Sequence, residues 1–457
     1  MTTPDVVVRG PVPAAPRDPA APTGRSAGDT PGTRADRADT VGRATALLRA
    51  WRPDGDRFLA SPRRTLLGRG VRAVVPHDER PVAERVAATL ATLGTDSGGF
   101  GGHRDAGGGG EGDDRASAGG ADHDPGHTPP GNTPVLVMGA VPFDADRPAA
   151  LAVPAELRTA PPPEGDPLIA LPADRPVLRG EWRLRPVPEP ARYTAAVTEA
   201  VRRMRAGDFH KVVLARTLEL DADQPPDLPA VLERLARRDP TGHTFALPTG
   251  PGRTLLGASP ELLLSRTGDR VVANPLAGSV PRGPDLAEDV RRAARLLDSP
   301  KDLHEHAVVV ADIRAALEPW CEHLEIPGRP GLVRTAGMWH LSTTVTGTLR
   351  APFPTSLELA GALHPTPAIC GTPTPVARRV IGELEPFDRG WFTGMVGWQD
   401  VRGDGEWVVT IRCAEAEGNG VRLYAGAGIV ADSDPEAETA ETGAKFRTLL
   451  RALEADL

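Results

Sequence analysis

Residues 423–445 read LYAGAGIVADSDPEAETAETGAK, and the way this stretch divides into elements sets the reading of the whole chain. LYAGAGIV reads as a strand running into Gly426-Ala427-Gly428, where glycines let backbone N–H groups approach an anion closely; the same three residues also suit a plain tight turn. Ser433-Asp434-Pro435-Glu436 then starts a helix, with a Ser or Asp cap, a Pro in the first turn and a capping-box Glu. Along that helix Glu438, Glu441 and Lys445 fall at i, i+3 and i+7 and share one face. Phe446, Leu449, Leu450 and Leu453 anchor the later turns to a core. Two carboxylates one turn apart can both reach a hard cation such as Mg²⁺, and a Lys one turn further can hold an anion bound to that cation. Taken alone, a Glu-Glu-Lys face is also an ordinary solvated face.

Upstream, a regular pattern begins near residue 190. Val197, Ala200, Val201 and Met204 recur at helical spacing in RYTAAVTEAVRRMRAGD, and KVVLARTLEL reads as a strand with Lys211, Val213, Ala215 and Thr217 on one face. Further strands are expected at TLLGAS, ELLLSRTGDRVVAN, WHLSTTVTGTL, GMVGWQD, EWVVTIRCAEA and VRLYAGAGIV, and long helices at 285–298, 301–323, 374–383 and 435–454. Strands and helices come in mixed order with several hairpins, which argues for an α+β layered domain and against a doubly wound fold. Ahead of this core, FLASPRRTLLGRGVRAVV reads as strand–turn–strand, VAERVAATLATL as a helix and PVLVMGAVPFD as a short buried strand ending at Pro142. Residues 154–190 are Pro-rich and expected to be extended. Residues 1–40 and the Gly/Asp-rich insertion 97–132 lack apolar periodicity and are expected to be disordered, leaving one domain over 41–457 with a core at 190–457. The histidines of the insertion (His103, His123, His127) are irregularly spaced and fit a solvated loop better than a metal site.

Composition narrows the class. The chain is 40% hydrophobic and 25% charged with net charge −8, and it has no basic tract or basic–aromatic stripe, so nucleic acid is not an expected partner. No apolar run reaches membrane-spanning length and the N-terminus carries no basic-then-apolar leader pattern, which points to a cytoplasmic enzyme without a membrane partner. A monomer is expected. Cys321, Cys370 and Cys413 are an odd, unclustered set suited to small apolar positions in a reducing compartment. More telling is that only three of the 53 basic residues are Lys: Lys211, Lys301 and Lys445. Where any positive charge serves, this chain uses Arg, so a retained Lys marks a place for a compact, tunable ammonium; Lys211 and Lys445 rank first.

Two further groups carry chemistry. A helix starting near Ser299-Pro300-Lys301-Asp302 bears Glu305 between His304 and His306. His-Glu-His lacks the i, i+4 histidine spacing of a zinc helix, so Glu305 alone is the candidate, as a further Mg²⁺ ligand. Lys211, opening its strand, and Glu261 in GASPELLL form a possible base and acid, because burial lowers a lysine's pKa and raises a glutamate's. A salt bridge at a strand edge is the simpler alternative.

These pieces occur together in KVVLAR (211–216), GASPELLL (257–264), NPLAGSVPRG (274–283), KDLHEH (301–306), WHLSTTVTG (339–347), LHPTPAICGTP (363–373), ELEPFDRGWFTGMVGW (383–398), GEWVVTIRCA (405–414) and GAGIVADSDPEAE…ETGAK (426–445). From about Arg192 onward the chain resembles the chorismate-utilising enzymes of menaquinone, siderophore and tryptophan biosynthesis. FLASP and GAVPFD resemble the siderophore-type isochorismate synthases in particular. The resemblance implies a single large chorismate-binding domain: two stacked, mainly antiparallel sheets with peripheral helices and a site in a cleft between them. By position it implies Lys211 as the base that activates water for attack at ring carbon 2. Glu261 becomes the acid that protonates the hydroxyl leaving carbon 4. Glu305, Glu441 and, beside them, Glu438 become Mg²⁺ ligands. The backbone about Gly426, Ala427 and Gly428, with Lys445, would hold the ring carboxylate. Arg412 would hold the enolpyruvyl carboxylate, and His340, Gly278 and Ser279 would line the pocket.

The resemblance also bears on the product. Aminodeoxychorismate synthases place a nucleophilic Lys where this chain has Ala277, and amine-transferring branches carry Gln at the position of Lys211. Salicylate synthases tend to have Thr at Ala368, Tyr at Phe392 and Leu at Ile411. All of these positions imply isochorismate synthase, with chorismate and isochorismate as the small-molecule partners; salicylate synthase and a non-catalytic chorismate-binding paralogue are the alternatives.

Overall fold

The structure is a computed structural model, and it describes residues 41–95, 135–172 and 175–455. The tail 1–40 and the insertion 97–132 lie outside the described residues. From Val41 onward the described residues belong to one compact unit.

Why the strands look continuously apolar becomes clear from what covers them. Lys211–Asp221 is buried along nearly its whole length because both of its faces are packed. Val212 and Leu214 meet the helices Pro190–Arg205 and Thr374–Leu384, through Val197, Val201, Val380 and Ile381. Leu218 and Leu220 meet a second group around Leu232, Leu235, Leu449 and Leu453 from the helices Leu228–Arg238 and Pro435–Leu453. Ala215 faces the other way, into a core shared with Phe245, Leu255, Met138 and Val396.

That last core is the seam between two stacked antiparallel sheets. Among the described residues the larger sheet has ten strands, with Lys211–Asp221, Gly420–Ile429, Cys413–Glu417, Arg253–Ser259 and His243–Gly250 adjacent in that order. The second has nine, with Arg270–Asn274, Leu262–Thr267, Gly405–Val409, Met395–Asp400 and Leu136–Val141 at its centre. Its outer face packs on the helices Val82–Thr95, Pro300–Leu317 and Ser356–Leu363. The order of layers is therefore helix, sheet, sheet, helix, as expected for an α+β layered fold. A three-stranded sheet (Leu276–Pro281, Met338–Ser342, Gly331–Arg334) lies beside them and was not anticipated.

Several expectations need correction. The helix expected over 301–323 runs Pro300–Leu317. It gives way to a 3₁₀ turn at Glu318–Trp320, where Pro319 sits, and Cys321–Glu325 then pairs with Val345–Leu349. Residues 154–190 are not simply extended: strands Glu156–Ala160 and Arg183–Val187 flank two short 3₁₀ turns. EWVVTIRCAEA is two strands in different sheets, Gly405–Val409 and Cys413–Glu417. The chain crosses between the sheets at Thr410-Ile411-Arg412, with Arg412 at φ 50°. The Gly426-Ala427-Gly428 segment is neither a turn nor an anion-binding loop. It lies inside the strand Gly420–Ile429, paired with Ala215, Leu214 and Val213.

Candidate active site

The sheet crossing, the closing helix and the small third sheet enclose a cleft of about 820 Å³, part of it open to solvent. Each supplies side chains for a local reason. The strand Gly420–Ile429 alternates, so Gly426 and Gly428 face the cleft while Ala427 points into the core with Val212 and Leu214. The closing helix starts at Asp434, whose carboxylate accepts the Ala437 N–H at 2.8 Å. This start sets Glu438, Glu441 and Lys445 against the cleft wall. The helix Pro300–Leu317 starts on Ser299, whose hydroxyl accepts the Asp302 N–H at 3.3 Å, and delivers Lys301, Asp302 and Glu305.

The three lysines of the chain all end here, each on a different carboxylate. Lys211 Nζ donates to Glu305 at 2.9 Å, Lys301 Nζ to Glu438 at 2.8 Å, and Lys445 Nζ to Glu441 at 2.6 Å. Lys445 also donates to the Gly426 carbonyl at 2.9 Å, and the Ser279 hydroxyl donates to Glu441 at 3.0 Å. Lys211 and Glu305 are buried, and Gly428 is what admits them: a Cβ there would overlap Glu305 Oε1 and lie 3.2 Å from Lys211 Cε. Burial raises the Glu438 carboxyl, and its neighbour Glu441 adds to this against Lys301. For Glu441 the same burial is outweighed by Lys445, Ser279 and Lys301, so its carboxyl is held below the usual range.

Hard oxygen donors suit a hard divalent cation, and Glu305, Glu438 and Glu441 all line this one cleft. In kind the set fits Mg²⁺. In position each carboxylate is turned to a lysine, and among the described residues no three His, Cys, Asp or Glu side chains gather closely enough to hold a metal.

At the other end Glu261 is 3% exposed, and its carboxylate accepts a long 3.4 Å bond from the Leu276 N–H. Burial pushes its carboxyl up to about 7, opposed by that N–H, Lys211 and Lys445. His340 is buried with Arg412 and Lys445 nearby, which keeps its imidazole neutral; its Nε2 has no hydrogen-bond partner among the described residues. Arg412 is likewise buried, lowered to about 10 and still cationic at neutral pH, and its guanidinium donates to the Lys445 carbonyl at 3.3 Å. Ala277, Gly278, Ala368, Phe392 and Ile411 complete the walls, with Phe392 stacked on Tyr424 at 5.1 Å between ring centroids.

The structure thus brings together every residue singled out from the sequence except two. Ala427 faces away, because the strand continues where a turn was allowed for. Lys211 does not reach the cleft surface itself; it stands behind Glu305. Sequence reasoning passed over Lys301, Asp302, Thr393 and Tyr424, all of which line the cleft. The scarcity of lysine already pointed to Lys301; nothing local pointed to the other three.

A family model for chorismate binding enzymes matches residues 175–454. The chain belongs to the chorismate binding enzyme family. Isochorismate synthase DhbC of Bacillus subtilis is 47% identical over 429 residues, 91% of this chain and 98% of that relative. The vibriobactin-specific isochorismate synthase of Vibrio cholerae is 43% identical over 317 residues, 69% of this chain and 79% of the relative. Among solved structures, DhbC from Bacillus anthracis superposes with a TM-score of 0.77 at 43% identity, covering 90% of this chain and all of that one. Every residue that lines the cleft of this chorismate binding enzyme lies within the stretch matched by the family model.

Proposed function

We propose that the cleft converts chorismate to isochorismate in a Mg²⁺-dependent, reversible reaction, the product serving 2,3-dihydroxybenzoate formation for a siderophore. The observation that carries this reading is a buried carboxyl near 7 in the cleft wall, with a buried lysine hydrogen-bonded to the cleft-lining Glu305 directly behind that carboxylate. Glu261 can keep its proton at neutral pH and give it to the hydroxyl leaving carbon 4. Lys211 serves as the base for the water that attacks carbon 2, which requires it to exchange its Glu305 contact for the cleft. Two carboxylates of the substrate need two cationic ends. Arg412 offers a planar fork for the enolpyruvyl carboxylate, and Lys445 and Lys301 serve the ring carboxylate. Glu305 and Glu441, with Glu438 beside them, would hold Mg²⁺ once turned from their lysines, and the ion would supply counter-charge for that carboxylate. Neutral His340 presents an unfilled Nε2 toward the ring. Ala277, Gly278 and Ser279 close the wall beneath it.

The relatives support the assignment: the named isochorismate synthase DhbC aligns over nearly its full length. The protein acts as a monomer in the cytoplasm on this reading. Three buried free cysteines fit a reducing compartment, and among the described residues no helix is long and apolar enough to cross a membrane. The test is incubation of purified protein with chorismate and Mg²⁺, followed by product identification. Isochorismate is expected. Salicylate and pyruvate appearing without an added lyase would instead make the protein a salicylate synthase, and no consumption of chorismate would make it a binding paralogue.

A further inference from the structure

We propose that Arg389 is a positioning residue for this reaction: without touching substrate, its guanidinium sets the wall of the cleft that faces the ring. The inference rests on the chorismate reading above.

Arg389 is 4% exposed, and all five of its N–H donors are used. Nε and Nη2 hold both oxygens of Glu385, at 2.9 and 2.6 Å. Nη2 also donates to the Val213 carbonyl at 2.7 Å. Nη1 donates to the Ile369 carbonyl at 2.8 Å and to the Thr393 hydroxyl at 3.2 Å. Three of these acceptors belong to residues that line the cleft on three separate segments. Val213 stands two residues after Lys211, Ile369 adjoins Ala368, and Thr393 adjoins Phe392, over whose ring the guanidinium lies at 5.8 Å. Glu385 extends the clamp by accepting the Ala215 N–H at 2.8 Å.

A purely structural ion pair would not need this geometry. The bonds run to backbone carbonyls at the edge of the site, and one segment they fix is strained: Thr393 has φ 59°, a region costly for a β-branched residue. Its conformation is held from three sides, by Arg389 at the hydroxyl, by His364 at the carbonyl (2.7 Å) and by the Thr410 carbonyl at the N–H (2.8 Å). A lysine could keep the pairing with Glu385, but its single nitrogen cannot reach all the segments at once.

Loosening this wall has a chemical consequence. Bound isochorismate can lose its side chain with no other reactant. The hydrogen on carbon 2 passes to the enolpyruvyl methylene, the ether C–O bond at carbon 3 breaks, and the ring aromatises to salicylate, leaving pyruvate. A wall that holds ring and side chain in fixed relation suppresses that second step.

The experiment compares Arg389→Lys with Leu235→Ala, a core substitution on the far side of the larger sheet, and with Thr393→Val, which removes one hydroxyl from the clamp and is close to isosteric. All are assayed below their melting temperatures, per folded protein, for kcat, KM and product ratio. Arg389→Lys is expected to lower kcat roughly 10- to 100-fold with a smaller change in KM, and to raise the salicylate share. Thr393→Val should do the same to about a few-fold in kcat. Leu235→Ala should lower only the melting temperature. The proposal is overturned if Arg389→Lys matches Leu235→Ala in kcat and product ratio. If Arg389→Lys does not fold, an unchanged kcat and product ratio in Thr393→Val overturns it. Wild-type protein that makes no isochorismate would defeat the chorismate reading instead, a result distinguishable from either.

Discussion

The two ends of the cleft are built by different means. The charged end takes Lys301 and Glu305 from one helix and Glu438, Glu441 and Lys445 from another, with Lys211 from the strand beneath. Its geometry is that of three lysine–carboxylate pairs. The ring end takes Ala368 and Phe392 from segments held by the buried Arg389–Glu385 pair and Ile411 and Arg412 from the chain crossing, with Glu261 kept protonatable by burial. The first end handles charge through groups that can exchange partners. The second handles shape through groups that cannot move. That contrast predicts different failures at the two ends.

The largest effect should come from Lys211→Ala, which removes the base and leaves Glu305 buried without its partner: turnover should fall ~10²- to 10⁴-fold with the fold retained by circular dichroism. Activity close to wild type would show that Lys211 is only a structural counter-ion. Glu441→Ala breaks the charged end where helix and small sheet meet, removing the carboxylate that Lys445 and Ser279 share. Turnover should fall roughly 100-fold and lose its response to a Mg²⁺ titration, and an unchanged Mg²⁺ response would remove Glu441 from the ligand set. Gly428→Ala sharpens the comparison, because its added carbon collides with Glu305 and crowds Lys211 while leaving the ring end untouched. It should cost about tenfold in kcat, with the product still isochorismate.

At the ring end the effect is one of pH. Because the acid must be protonated, kcat/KM should decline above about 7, through the Glu261 carboxyl. The same shift bears on stability. The folded value lies above the ordinary 4.5, so the contribution is fully present below 4.5 and lost as pH rises through about 7. Denaturant unfolding of wild type against Glu261→Gln over pH 4.5–7.5 should show wild type losing ground as pH rises; parallel curves would contradict the assignment. The smallest effect should follow deletion of residues 100–130, where no family motif lies: turnover within about twofold of wild type.

How much of this was legible in the sequence follows the same division. The charged end could be read, because Glu438, Glu441 and Lys445 keep a helical spacing and three lysines among so many arginines stand out. Helix starts near Ser299 and at Ser433-Asp434 could be read for the same local reason, although Asp434 caps the Ala437 N–H and the expected capping box with Glu436 is not formed. The ring end could be named only through family resemblance. Its walls depend on the chain leaving one sheet for the other at Thr410-Ile411-Arg412, and an unbroken apolar run such as EWVVTIRC gives no sign of where it will cross. The Gly-Ala-Gly segment misled for a related reason. Its Gly428 marks close approach of Glu305 and Lys211 to a strand, which local pattern cannot separate from a turn. The Arg389 clamp joins its near neighbours Glu385 and Thr393 to the distant Ile369 and Val213, and nothing local marks the distant pair.

The central claim is that the two ends act together, water entering at carbon 2 as the hydroxyl leaves carbon 4. Turnover of chorismate with Mg²⁺ in ¹⁸O-labelled water, followed by mass spectrometry of the product, tests it most directly. The account predicts isochorismate carrying one solvent oxygen on the ring hydroxyl. Unlabelled isochorismate would mean that the hydroxyl migrates within the substrate, and the roles given to Lys211 and Glu261 would be wrong.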